Sequence, residues 1–491
     1  MIHYEYYSRK GMRGKSNLRV IGSAISVLII ITSVFYLLNS CTGKTEGRLI
    51  ITKCAINKGE PDFLTGESWR YPENASLIMT GLFSSGKKPL VLTADFRSAC
   101  SPDVSYDGKK ILFAGKLTES DHWQIFEMII SSRKYRKVIS IDDNCTDPVW
   151  LPGGRILFSR AMHNDTTGLS HRLFTCMPDG SDLHQITFHP HADFAPSVFA
   201  DGRVGFITRQ VYPVSKHQIY YIMRPDGTKA DKYFDISSGA LLLCRARENA
   251  DGNIFFIESG NRSIDSGSIW SVHGNRPLHT RKSWPGFGGN YRSVFITPRG
   301  EMLVSFRPGG SKSFGIFKYD LSGKNKPEPV YVEEESDMID VVSAEAHPRQ
   351  KKLPSEVDLG VKTGQIMCQD INVTGPKTSA AQAGGKRFRR IEILGVGVSF
   401  GGVDAEEDGS FYLKPLADMP FRIRVIDENG HALTPASGWI WLRPNERRGC
   451  VGCHEDPELV PDNRIPMAVK KFPVIIPQHI EKIKEKLIEL E

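Results

Sequence analysis

The sequence predicts an all-β protein: a propeller of about six blades, followed by a small β-sandwich-like domain with a short tail. Two periodic observations and one boundary carry that expectation. Glycine followed by a short apolar strand recurs at Gly108, Gly154, Gly202, Gly252 and Gly300, with spacings of 46, 48, 50 and 48 residues. A second series of turns, Met177-Pro178-Asp179-Gly180, Arg224-Pro225-Asp226-Gly227 and Asp320-Leu321-Ser322-Gly323, lies in the other half of each period. Glycine and aspartate turns of this kind join antiparallel neighbours, so each period holds two hairpins, or four strands. Four strands every 40–50 residues is the pattern of a propeller blade. The boundary is the proline-flanked basic stretch Pro348 to Pro354, after which the period stops.

Composition fits. Of 491 residues, 40% are hydrophobic and 24% charged, enough for a sizeable core without disulfide staples. The net charge of +7 falls to about +3 once the first 19 residues are set aside, and no nucleic-acid footprint is indicated.

From the N-terminus, residues 1–19 carry Arg9, Lys10, Arg13, Lys15 and Arg19 ahead of the uncharged stretch Val20 to Leu38. Nineteen uncharged, mostly apolar residues suffice to cross a bilayer, and basic residues on the near side hold that end in the cytoplasm. The stretch closes on Leu38-Asn39-Ser40-Cys41, which looks like a lipobox with Cys41 as the lipidated residue. Residues 20–41 are therefore a lipoprotein signal, an uncleaved anchor or a cleaved secretory signal, and each exports the rest of the chain. The expected location is the cell envelope, outside the membrane that holds the anchor.

Residues 48–350 form the propeller, closed by Ser76–Thr93 and a returning segment near Ile339–Val342, which removes exposed edges. Residues 355–470 form the second domain, with strands at Ile391–Val396, Ser410–Leu413, Phe421–Ile426 and Trp439–Leu442. Gly395-Val396-Gly397 and Gly401-Gly402 do not have dinucleotide-binding spacing, and a strand comes after them where a helix is needed. Residues 471–491 read as a short amphipathic helical tail.

Cys450-Val451-Gly452-Cys453-His454 is the motif that carries chemistry. Two thiols at this spacing add across the two vinyl groups of one haem edge, and the next histidine then reaches the iron. Cys450 and Cys453 are the expected attachment points of one haem c, with His454 its proximal iron ligand. A zinc knuckle would need a second ligand pair, and no other CxxC or HxxH occurs. A histidine or methionine on the far side of the iron makes an electron-transfer centre, and a vacant position allows small-molecule chemistry. The candidates are Met467, His479 and His347. His189-Pro190-His191 reads as an exposed turn. Among the other cysteines, Cys100 and Cys145 precede equivalent strands in consecutive units and are the expected disulfide pair. The run Glu333 to Glu335 reads as a solvated loop.

Several segments resemble a known family. They are Ser101–Phe113 with Trp123–Met128, Arg247-Glu248-Asn249 with Asp251-Gly252, and Gly288–Arg292. Ala344 to Arg349, Asp408–Phe411 and Leu442-Arg443-Pro444 leading into Cys450–Glu455 complete the set. Over residues 75 to 461 the chain is similar to the hydrazine synthase alpha subunit family, and the texture around Ser101–Gly108 resembles TolB-type propeller repeats. The resemblance implies a propeller followed by a middle domain with one c-type haem. A further domain with a second haem, present in that family, is expected to be missing. In the family a tyrosine four residues past the motif histidine ligates the iron, while that histidine binds zinc. Glu458 stands at the matching position, so tyrosinate ligation does not carry over, and zinc stays an open alternative.

Two functions are expected from these readings. In one, an exported, membrane-anchored c-type haem protein exchanges electrons with a protein or small molecule; as an enzyme it would be a haem-dependent oxidoreductase. In the other, a cell-surface propeller binds a partner and the haem is structural or sensory.

Overall fold

The structure, a computed structural model, describes residues 47–56, 70–81, 88–164, 168–210, 217–260, 263–373, 388–452, 458 and 463–478. Within them six antiparallel sheets form the blades. The first blade takes β1 (Arg48–Ala55), β2 (Ser76–Gly81) and β3 (Leu90–Val91). The second is β4 (Ser98–Val104), β5 (Lys110–Lys116), β6 (Gln124–Ile129) and β7 (Tyr135–Lys137). Next come β8 (Cys145–Trp150), β9 (Ile156–Asn164), β10 (Gly168–Cys176) and β11 (His184–Gln185), then β12 (His191–Val198), β13 (Val204–Gln210), β14 (Gln218–Met223) and β15 (Asp231–Phe234). Blade five holds β16 (Leu241–Leu242), β17 (Arg247–Glu248), β18 (Asn253–Ser259), β19 (Gly267–His273) and β20 (Lys282–Ser283). Blade six is β21 (Gly289–Ile296), β22 (Met302–Pro308), β23 (Gly315–Tyr319) and β24 (Glu328–Tyr331).

Ring closure is by β25 (Ser336–Ser343), which returns to pair with β1, Ile51 facing Val341. The returning strand is where the sequence places it, but it meets Arg48–Ala55, which sits between it and β2.

The repeated glycines have one role. Gly108, Gly154, Gly202, Gly252 and Gly300 have φ of +69°, +88°, +88°, +77° and +83°. Each donates its N–H to the carbonyl three residues back, at Ser105, Leu151, Phe199, Asn249 and Thr297. That left-handed corner strains any residue with a Cβ, which is why the period shows in glycine. Innermost strands share a second device: β4, β8, β12 and β21 each carry a register shift, between Cys100 and Asp103, Thr146 and Val149, Phe194 and Ser197, and Tyr291 and Ser293. Such bulges re-aim side chains, and here they line the hub. Asp147, in the β8 bulge at φ +52°, accepts hydrogen bonds from Tyr71 Oη at 2.7 Å and Ala195 N at 2.8 Å, with Arg245 at 3.7 Å.

The second domain pairs two sheets. One contains β26 (Gln365–Cys368), β29 (Phe411–Pro415), β31 (Arg447–Cys450) and β32 (Val474–Ile476); the other contains β27 (Arg390–Leu394), β28 (Ser399–Asp404) and β30 (Arg422–Ile426). Ile366, Ile391, Ile393, Phe411, Leu413 and Val425 form the core between them. The Gly395–Gly402 stretch is the β27–β28 hairpin.

Five expectations are corrected. Trp439–Leu442 is not a strand and makes a single bridge, Phe421 to Ile440, because Trp441 turns away to bury itself among Phe206, Tyr221 and Met223 of the propeller. Cys100 and Cys145 are not bonded: each lies in its own blade, Cys100 against Tyr71 and Trp123, Cys145 against Ile125 and Phe158. His189 and His191 are buried. Glu333 pairs with Lys53 at 2.5 Å, while Glu334 and Glu335 are exposed as expected. The expected helical tail is not helical where it is described: Val474–Ile476 is a strand that pairs in parallel with Phe411–Pro415 and belongs to the second domain. The uncharged stretch Val20 to Leu38, Cys41, Cys453, His454, and residues 479–491 with His479 lie outside the described residues. Among the described residues no helix is long and apolar enough to cross a membrane.

Candidate functional site

The motif begins at the end of a strand fixed from both sides. Strand β31 runs parallel to β26 at the edge of its sheet, with Cys450 opposite Cys368. Ahead of it, buried Glu446 accepts Lys229 N–H at 2.9 Å and Arg443 N–H at 2.8 Å. Arg448 bonds Glu446 at 2.7 Å and the Ala230 carbonyl of blade four at 3.0 Å. These charge-assisted bonds clamp Arg447–Cys450 between its own sheet and the propeller. An edge strand has one open side, and Cys450 is half-buried there, whereas Cys368 is buried.

Backbone bonds continue past the strand. Gln369 N–H donates to the Cys450 carbonyl at 2.9 Å and Asp370 N–H to that of Val451 at 3.1 Å. A Cβ on Gly452 would lie 2.2 Å from the Val373 carbonyl oxygen, so the residue between the two thiols has to be glycine for this approach. Arg464 ties the returning chain to the same place, bonding the Gln369 carbonyl at 2.7 Å with Asp370 at 3.3 Å. Beyond Cys453 and His454, Glu458 reaches blade five. Its Oε1 accepts Leu278 N–H at 2.7 Å, and Arg276 and His279 stand 3.6 and 3.8 Å from Oε2. The segment from Cys450 to Glu458 thus has the second domain at its start and the β19–β20 connection at its end.

The expected far-side candidates are scattered. Met467 opens a one-turn 3-10 helix, Met467–Lys470, its N–H given to Asp408 Oδ2 at 2.8 Å and its side chain exposed. His347 sits on the propeller, its ring 5.1 Å from that of Tyr106 and its N–H bonded to the Tyr106 carbonyl at 3.0 Å. His189 Nε2 is held by Asp193 at 2.8 Å, and its ring packs 4.7 Å from Trp441. Burial, and then the neighbouring His189, push the His191 imidazole down to about 3. This pair of histidines is part of the joint between the domains. Arg276 and His279 were not legible as neighbours of the motif, since only folding brings blade five to Glu458. Among the described residues no group of three or more His, Cys, Asp and Glu is arranged to hold a metal ion.

Residues 361–455 match the family described as hydrazine synthase alpha subunit middle domain. The curated hydrazine synthase subunit alpha of Kuenenia stuttgartiensis is 22% identical over 517 residues, covering 78% of this chain and 63% of that protein. The chain therefore spans less than two-thirds of that relative's length. The solved Kuenenia stuttgartiensis hydrazine synthase superposes with a TM-score of 0.72 at 19% identity, over 86% of this chain and 71% of that one. TolB from Acinetobacter baumannii gives 0.44 at 15% identity, over 60% and 67%. In sequence and in fold the chain is similar to the alpha subunit of hydrazine synthase.

Proposed function

We propose that this chain is an envelope c-type haem protein with a redox or electron-transfer role, in which Cys450 and Cys453 bind one haem c and His454 is its proximal iron ligand. The observation that carries the reading is Cys450-Val451-Gly452-Cys453-His454, starting from a thiol that is half-buried on an edge strand. The surroundings fit the group: the Arg448–Glu446 clamp fixes where the first sulfur stands, and Gly452 lets the chain turn tightly against Val373. Glu458 fastens the outgoing chain to Leu278. When bound, a haem supplies a one-electron iron centre whose behaviour follows its axial ligands. The uncharged stretch Val20 to Leu38, with Cys41, supports export and anchoring at a membrane, with a protein or small molecule as electron partner. Synthesis of hydrazine is not part of the proposal, because Glu458 stands where the resemblance calls for a ligating tyrosine.

The test is to produce the full chain alongside a working cytochrome c maturation system and map the peptide holding Cys450 and Cys453 by mass spectrometry. One haem added to that peptide is expected, lost when both cysteines become serine. Two unmodified thiols, or a bridge between them, overturn the reading. A low-spin six-coordinate spectrum then supports electron transfer, and a five-coordinate one that shifts with carbon monoxide supports catalysis.

A further inference from the structure

The hub of the propeller opens into a cavity of about 400 Å³ on the face that carries the repeated glycine turns. That size suits a small organic molecule. Three segments far apart in sequence meet there: Asp103 to Tyr106 of blade two, Arg247 to Ala250 of blade five, and His347 to Gln350 of the interdomain linker. The linker forms the roof. Tyr106 Oη donates to Gln350 Oε1 at 2.9 Å, and the Arg349 guanidinium lies 5.0 Å from the centre of the Tyr106 ring.

The polar groups of the wall differ in whether they are already used. Asp103 Oδ2 accepts Trp150 N–H at 2.9 Å, and Glu248 Oε2 accepts Ala200 N–H at 2.6 Å, so one oxygen of each carboxylate is held by a neighbouring blade. Burial also raises the Glu248 carboxyl, which weakens its hold on a proton-free state. Arg247 is different. Its guanidinium lies 5.2 Å from the centre of the Phe295 ring, its buried Nε has no hydrogen-bond partner among the described residues, and its charge is opposed by Arg245 and favoured by Asp340 and Asp103. A buried guanidinium donor without an acceptor is costly, and because this Nε is closed to solvent an anion relieves the cost by drawing the Arg247 side chain toward the cavity it lines. Val149, Val198, Phe295 and Val342 give the cavity an apolar remainder.

We propose that this cavity binds a small organic carboxylate, its charge on Arg247 with Arg349 above it, and its apolar body against Phe295 and the neighbouring valines. Planar bidentate pairing is the arrangement that a guanidinium offers a carboxylate. The site is independent of haem attachment, so serine at Cys450 and Cys453 leaves it intact.

Fluorobenzoate is the probe, followed by fluorine NMR with the full chain in detergent, and fluorobenzamide is the uncharged control. Saturable broadening by the acid and none by the amide is expected. Arg247→Gln should weaken binding roughly tenfold or more, as loss of a charged hydrogen bond does. If that variant does not fold, Arg349→Gln at the roof decides, with a severalfold loss expected. Absence of saturable binding, equal binding of acid and amide, or unchanged affinity in the folded variants overturns the proposal.

Discussion

Asp147 shows how much can rest on one side chain. It is buried in the hub, where burial alone would raise its carboxyl; Arg245, Arg70, the Tyr71 hydroxyl and the Ala195 N–H outweigh this and hold it below the usual range. A carboxylate depressed in the folded state contributes its stability above the unfolded value, and that contribution drains away in acid below about pH 4. Asp147→Asn removes one of the two buried carboxylates, with Asp340, that face these guanidiniums and should cost about 3 kcal/mol in urea unfolding at neutral pH. His191 acts over a higher range. With its folded value at about 3 against an ordinary 6.5, the neutral ring is favoured by folding, so stability falls as pH drops from about 6.5 toward 3. His191→Gln should flatten the urea midpoint across that window. Neither residue was legible in advance: Asp147 has no motif around it, and His189-Pro190-His191 looks like a turn until Trp441 covers it.

At the level of elements, legibility followed backbone demand. The blade corners announce themselves because only glycine meets +69° to +88° without strain, and so the blade number could be counted from the chain. Strand β14 runs straight into the expected Arg224-Pro225-Asp226-Gly227 turn, which Gly227 N–H closes on the Arg224 carbonyl at 2.9 Å. The short strands of the second domain were harder. β26, β31 and β32 are three or four residues long, and β31 and β32 join their sheet as parallel strands from distant segments, so no hairpin marks them. The corners also allow two costs to be separated. Gly154 has no atom within 4 Å of an added Cβ, so Gly154→Ala should cost only the left-handed backbone, about 1–2 kcal/mol. At Gly202 the same Cβ would meet the Lys351 carbonyl at 2.0 Å, so Gly202→Ala must also displace the linker. Limited trypsin digestion should cut faster between Arg349 and Lys352 in the Gly202 variant and at the native rate in the Gly154 variant.

Propeller and second domain form one compact unit from Arg48 onward, and Arg443 is central to the join. It is buried, bonds Asp418 at 2.7 Å and the Asp226 carbonyl at 3.1 Å, and lies 4.9 Å from the centre of the Phe188 ring. Arg443→Ala should split a single calorimetric transition into two, one for each domain, since it removes the bond to the Asp226 carbonyl and the Phe188 contact that cross the junction. A single transition with an unchanged midpoint would show that Trp441 and the linker suffice.

The pairing of Ile51 with Val341 joins residues 290 apart, and it has a bearing on how the molecule is made. A ribosome delivers the first of these long before the second, so β1 must wait with its apolar side chains uncovered while five blades assemble behind it. Any holding factor that shields a nascent chain would find its target in Leu49 and Ile51, which the finished ring buries against Leu303, Met338 and Val341. Slow, late locking is the kinetic signature to expect, because long-range partners fold last.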